Sequence, residues 1–269
     1  MSDLHLVGLC IGASLVATLP GFYRTVWFIS IGYTLAISLC AVLIAIMAPV
    51  LDWHSVAQLT ILFIWAVRLG YFLVLRERNT NYTNAVAEQT DRSQALPFIA
   101  KTGIWLSTSV LYACMLSPAV FGLGPTSTLG GIAFGVALAG IVVMLAGVLI
   151  ESIADRQKSD FKRNHPGRFT NVGLFRWVRC PNYLGEILVW LGSFLVGMTF
   201  FDRWWHWLLA AVGLVCIVLI MIGSTKRLER KQEERYGENA EFLAYCRTVP
   251  VLFPWVPVYT LKNIRVYLE

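Results

Sequence analysis

The stretch RCPNYLGEILVW (179–190) gathers Arg179, Asn182, Tyr183 and Glu186 where a polar run passes into an apolar one. Pro181 suits the first turn of a helix, where a missing N–H costs nothing. The exposed N–H groups and positive dipole end of that turn attract phosphate. Arg179, just before it, can make charge-assisted bonds to a phosphate or carboxylate. Asn182 and Glu186 stand four residues apart on one helical face, with Tyr183 beside them. Glu186 lies about one turn inside an apolar segment. An ionisable group there costs roughly 2.5–3.5 kcal/mol on insertion scales and is by default a functional-site candidate. The chemistry these residues suggest is the binding of an anionic ligand at a helix mouth.

Two further charged stretches bear on the same chemistry. In 151–162, Glu151, Asp155, Lys158 and Lys162 recur at helical spacing along one broad face. NHPGRFTNVG (164–173) then breaks the helix. GLFRWVR (173–179) returns toward the apolar segment with two arginines. In 225–255, Arg227, Arg230, Glu234 and Tyr236 fall near one another on a helix, which Gly237 interrupts. Glu241, Phe242 and Tyr245 resume a helical pattern, and Pro250, Pro254 and Pro257 end it. Taken alone, ERKQEERYGE reads as a solvated charged helix.

The elements that must position these groups follow from composition. Of 269 residues, 57% are apolar and 14% charged, and the mean hydropathy is +0.63. Soluble domains average about 45–50% apolar and about 25% charged. A bilayer core admits only helices and closed barrels, and barrel strands would alternate where these apolar runs are continuous. The expected fold is all-α, a multi-pass membrane protein with seven transmembrane helices and a cytoplasmic polar cap. The predicted spans are 5–19, 26–48, 56–75, 103–121, 129–150, 183–201 and 205–223, in one membrane domain covering 1–269. The first is short and needs its flanks to cross. The six cysteines are scattered, with no CxxC pair, so neither a disulfide framework nor a metal site is predicted.

Basic residues set the orientation. With the N-terminus outside, the cytoplasmic loops hold Arg24, then Arg76, Arg78, Arg92 and Lys101, then seven Lys and Arg in 151–182 and eight in 224–269. Only Arg203 lies outside, and Arg68 lies within a span. The C-terminus is therefore predicted to be cytoplasmic. The net charge of +6 reads as a topology and lipid-headgroup signal, with no nucleic-acid partner expected. The membrane is a bacterial inner membrane or the endoplasmic reticulum, and a monomer is expected.

Ala154-Asp155, Gln157 and Phe161, followed by Gly173-Leu174, Arg179, Pro181-Asn182-Tyr183, Gly185-Glu186 and Trp190, resemble the steroid 5-alpha-reductase family of membrane reductases. The resemblance is strongest over 150–250. It implies NADPH-dependent reduction of a carbon–carbon double bond conjugated to a ketone in a lipid substrate, here a steroid-like enone. It also implies that Asp155, Lys158, Lys162, Arg179, Asn182, Tyr183, Glu186, Arg227, Tyr236 and Arg247 bind the cofactor. Arg68, about 10 Å into its span at 1.5 Å per residue, is a further candidate for a cofactor phosphate or amide.

The chain departs from that family where the animal enzymes place a glutamate and a tyrosine on the steroid ketone. Ile31 stands at the glutamate position and Trp65 at the tyrosine position. Ser30, Tyr33 and Tyr71 are the candidate donors to the carbonyl oxygen, where a hydrogen bond would stabilise developing negative charge. The isoprenylcysteine carboxyl methyltransferases, which use S-adenosylmethionine, share RxPxYxG and a run similar to EERYGENAEFLAYCRTVP (233–250). Asn182, Glu186 and the preceding ADRQK favour the reductase. A non-enzymatic transporter is the third reading, against which the chain shows no repeated halves and no paired broken helices.

Overall fold

The computed structural model describes residues 2–78, 94–125, 127 and 129–264. Arg92 and the end of the 76–82 stretch lie outside them. Among the described residues the secondary structure is helical, without strands. The helices are α1 (Asp3–Thr18), α2 (Ile31–Met47), α3 (Trp53–Glu77), α4 (Phe98–Phe121), α5 (Gly131–Asn164), α6 (Pro181–Met198), α7 (Trp204–Tyr236) and α8 (Ala240–Thr248). Short 3-10 turns occupy Leu19–Phe22, Thr25–Phe28 and Gly173–Arg176.

Six of these segments are long and apolar enough to cross a membrane: Asp3–Phe22, Thr25–Met47, Trp53–Glu77, Phe98–Phe121, Gly131–Asn164 and Trp204–Tyr236. The protein is an integral multi-pass membrane protein. The short first span gains its length from the turn Leu19–Phe22, reaching 20 residues. The seventh expected span corresponds to α6, which is not among the six. Its first two turns hold Pro181, Asn182, Tyr183 and Glu186, so its apolar run begins only at Ile187.

α5 and α7 outrun the bilayer. At 1.5 Å per residue, the 34 residues of α5 span about 50 Å, against a hydrocarbon core of about 30 Å. Each therefore carries its charged C-terminal half out of the membrane as continuous helix. Gly237 ends α7, and its amide bonds back to the Glu233 carbonyl at 2.7 Å. Asn239 then caps α8, accepting from the amides of Glu241 (2.8 Å) and Phe242 (3.2 Å).

The chain divides into two compact units, Met1–Ile141 with Ser193–Leu214, and Val142–Gly192 with Val215–Glu269. In the first, the buried interior holds Phe28, Ile37, Ile44, Leu62, Trp65 and Leu116. Two buried polar side chains, His54 and Gln58, are hydrogen-bonded inside it. His54 Nε2 donates to the Gly122 carbonyl (2.9 Å), and Gln58 Nε2 donates to the carbonyl and hydroxyl of Ser193 (3.0 and 2.9 Å). Buried polar groups left without such bonds would be costly.

The second unit is built on a close antiparallel crossing of α5 and α6. A Cβ on Gly147 would lie 2.6 Å from the Gly185 carbonyl oxygen and 2.7 Å from the Val189 nitrogen. A Cβ on Gly185 would lie 2.7 Å from both the Gly147 oxygen and Glu151 Cβ. Small residues let helix backbones approach in this way. Gly185→Ala has backbone on the other side and no flexible side chain to displace. It should destabilise the protein by about 1–3 kcal/mol, seen as a lowered midpoint in thermal unfolding in detergent.

Candidate functional site

The α5–α6 crossing brings the carboxylates of the two motifs to one level. Gly185 packs against the Glu151 backbone, so Glu186 and Glu151 occupy the same turn of the crossing. Glu151 (3% exposed), Asp155 (8%) and Glu186 (8%) are all buried. Asp155 follows Glu151 by one turn of α5. Three buried acids on two adjoining helices are expensive unless partners or a ligand compensate them.

Asn182, one turn before Glu186, is half-buried, and its Oδ1 lies out of reach of any hydrogen-bond donor in the described residues. Leaving a buried acceptor unsatisfied costs about 1–3 kcal/mol. The atom is therefore placed to accept from a group outside the described residues.

Arg179 has a different environment from the one its sequence context suggests. It is 5% exposed and pairs with Glu229, itself 5% exposed, through an Nη2–Oε1 bond of 2.8 Å. Arg179 Nη2 also donates to the Tyr259 carbonyl, and Nη1 donates to Cys246 Sγ at 3.2 Å. The Arg179 and Cys180 amides donate to the carbonyls of Pro250 (2.9 Å) and Val251 (3.0 Å). Glu229 Oε2 accepts from the Leu261 amide at 2.8 Å. Arg179 thus pins the segment after α8 to the start of α6. A cavity of about 340 Å³ opens beside the pair, with Arg247, Lys262 and Glu233 among its lining.

Burial pushes the Cys180 thiol up to about 12 and raises the Cys246 thiol as well, against the opposing pull of Arg179 on both. Burial also raises the Tyr245 phenol, whose hydroxyl donates to the Phe175 carbonyl at 2.6 Å. These groups stay protonated at neutral pH, and the thiols are poor nucleophiles there.

Lys162 and Tyr236, 74 residues apart, meet. Lys162 Nζ donates to the Tyr236 hydroxyl at 2.8 Å and to the Arg168 carbonyl, and Tyr236 also donates to that carbonyl. The Tyr236 ring packs with Phe169 and Phe242. Arg227 is half-buried and donates to Ser224 Oγ at 3.1 Å, while Arg247 is exposed on α8. Lys158 and Tyr183 are half-buried.

Gln157 has a role that its place in the motif left open. Its Oε1 accepts from the Leu174 amide at 2.9 Å, and a Cβ on Gly173 would collide with its amide at 2.3 Å. Gly173 has φ +57°, a conformation glycine adopts at no steric cost. Gln157 and Gly173 together fix the turn that leads into Arg179. Glu229 was not legible in the sequence: it lies off the Arg227–Arg230–Glu234 set, and its partner is 50 residues away.

The carbonyl-binding candidates lie in the first unit. Tyr33 is buried, stacked on Tyr112 at 5.0 Å and edge-on to Trp65 at 5.6 Å. Trp65, the residue at the family's tyrosine position, is fully buried. Ser30 Oγ donates to the Val26 carbonyl at 2.9 Å, which commits its proton. Tyr71 is 67% exposed, and Arg68 is half-buried on α3.

A family model for proteins of unknown function, DUF1295, matches residues 19–249, which takes in both units and every candidate site residue. The chain belongs to the DUF1295 family. Within this family assignment, two curated relatives share shorter stretches with it. An uncharacterized protein of Schizosaccharomyces pombe is 34% identical over 109 residues, 33% of this chain and 31% of the relative. A steroid 5-alpha-reductase of Gossypium hirsutum, DET2, is 37% identical over 57 residues, 20% of this chain and 22% of the relative. The chain thus matches less than a third of the length of either. No solved structure matches it.

Proposed function

We propose that this DUF1295 protein is a membrane reductase that uses NADPH to reduce the carbon–carbon double bond of a conjugated enone lipid, with 3-oxo-4-ene steroids the first substrate class to test. The observation that carries the reading is the unsatisfied buried Oδ1 of Asn182. It lies one helical turn before the buried Glu186, within the segment that resembles the steroid reductases. The 57-residue similarity to a steroid 5-alpha-reductase supports it.

The residues present fit a dinucleotide. Asn182 Oδ1 can accept from an amide or hydroxyl, and the buried carboxylates can accept from ribose hydroxyls. Lys158, Lys162, Arg227 and Arg247 supply positive charge for phosphates, in a cap read as cytoplasmic. Arg179, already paired with Glu229, serves better to position this region than to meet an anion directly. When bound, NADPH supplies the hydride. The chain must then hold the enone dry and place a hydrogen-bond donor on its carbonyl oxygen. Of the three candidates for that donor, Tyr33 is buried, Ser30 donates to the Val26 carbonyl and Tyr71 is exposed.

The test is purification in mild detergent followed by ligand identification, then a substrate panel. Reduced nicotinamide absorbance and a copurifying dinucleotide by mass spectrometry are expected. NADPH oxidation should follow addition of a 3-keto-4-ene steroid or a linear enoyl lipid. Copurifying S-adenosylmethionine, with no oxidation of NADPH on any enone, would reject the reductase in favour of a methyltransferase.

A further inference from the structure

The segment after α8 is built unlike the rest of the charged region it belongs to. No charged residue occurs from 248 to 261, although Arg247 precedes the run and Lys262 follows it. From 249 onward the run is not helical. It folds into a loop closed by the Val251 amide on the Val258 carbonyl at 2.9 Å, with a further bond from the Val256 amide to the Phe253 carbonyl at 3.2 Å. At its tip Trp255 is 92% exposed, and Phe253, Val256, Val258 and Tyr259 are exposed as well.

The height of this loop relative to the bilayer can be read within the second unit. Its base is bonded through Pro250 and Val251 to the amides of Arg179 and Cys180, the residues that open α6. Gly185 of α6 packs on Gly147 and Glu151 of the antiparallel α5. Four residues of helix, about 6 Å at 1.5 Å per residue, separate Pro181 from Gly185 and bring it level with the turn that follows Glu151. The apolar run of α5 ends at Ile150, and charges follow. The loop base therefore stands where the hydrocarbon gives way to headgroups. Arg176 and Trp177, also exposed, precede α6 at the same end.

We infer that residues 253–259 seat in the interfacial layer of the bilayer, with Trp255 as the anchor. Tryptophan prefers that layer because its ring is apolar and its N–H can stay wet. Non-helical backbone is excluded from the hydrocarbon core but is satisfied by water at headgroup depth. Exposed Arg176 and Arg247 flank the aromatic surface with charge suited to anionic headgroups. The membrane thereby holds the outer side of the segment whose inner side contacts Arg179 and Glu229.

The experiment uses the full chain in lipid nanodiscs and the tryptophan emission lost on Trp255→Phe, a substitution at an exposed site that leaves the interior untouched. That difference emission should be quenched by brominated lipids, losing most of its intensity, and should resist aqueous iodide. Quenching by iodide with no response to brominated lipids would show the loop in water and overturn the inference. Resistance to both quenchers would show a protein surface covering it, such as a second copy of the chain, and would overturn it equally.

Discussion

On the proposed reading, Asn182→Ala should bind NADPH about tenfold more weakly than the wild type, yet the free protein should melt at the same temperature or higher. The two effects together distinguish a ligand contact from a packing contact. Among the described residues Asn182 Oδ1 is buried without a donor, so deleting it removes an unmet desolvation cost of about 1–3 kcal/mol. With cofactor bound, the same deletion removes the acceptor that the ligand satisfies. Stability surrendered for function in this way is a general property of binding sites. Glu186→Gln should weaken binding more, by about ten- to a hundredfold, because hydrogen bonds to a charged group are worth about 1.5–3 kcal/mol. Titration of detergent-purified variants with NADPH, beside thermal unfolding without it, measures both quantities. If Asn182→Ala destabilised the free protein and left affinity unchanged, the site would have to be moved away from α6.

Arg179→Ala is expected to act chiefly on stability, lowering it by about 3–5 kcal/mol. Its side chain and that of Glu229 are each 4% exposed. Removing either leaves the other as an uncompensated buried charge, which is why breaking such a pair costs more than the pair contributes. The combined Arg179→Met and Glu229→Leu replacement should recover the part of the loss due to that stranded charge. Recovery should be incomplete, because the Leu261 amide and the Tyr259 carbonyl each lose a partner. Denaturant or thermal unfolding of the two single variants and the double variant gives the coupling directly. A purely ligand-binding Arg179 would predict the opposite pattern, with stability unchanged and cofactor affinity lost.

These two expectations give the RCPNYLGE segment two separate tasks. Arg179 and Cys180 tie the segment after α8 to the start of α6, while Asn182 and Glu186 stand on α6 on either side of Gly185, which packs on Gly147 and Glu151 of α5. Gln157 and Gly173 set the turn between the two. The motif is therefore partly a device for holding backbone and, on the proposed reading, partly a site.

What could be read from the sequence alone was what depends on neighbours along the chain. Continuous apolar runs required membrane helices, and six such helices are present. Pro181 opens α6, Gly237 closes α7 and NHPGRFTNVG ends α5, each by a backbone rule that acts within a few residues. Helical spacing placed Glu151 and Asp155 on one face, and they are buried together. α6 stands outside the six longest apolar segments for a local reason as well: its polar first turns, the very residues of interest, dilute its apolar character.

Tertiary structure decided what depends on partners far away in sequence. Nothing near Arg179 announces Glu229, 50 residues on, so an exposed anion ligand and a buried ion pair look alike until the chain is folded. Gly147 is an ordinary small residue in an apolar run until Gly185 packs on its backbone. Lys162 finds Tyr236 only because α5 and α7 both continue beyond the bilayer as helix. The period of a helix is a short-range property and survives in the sequence; the pairing of charges is a property of packing, and only the fold contains it.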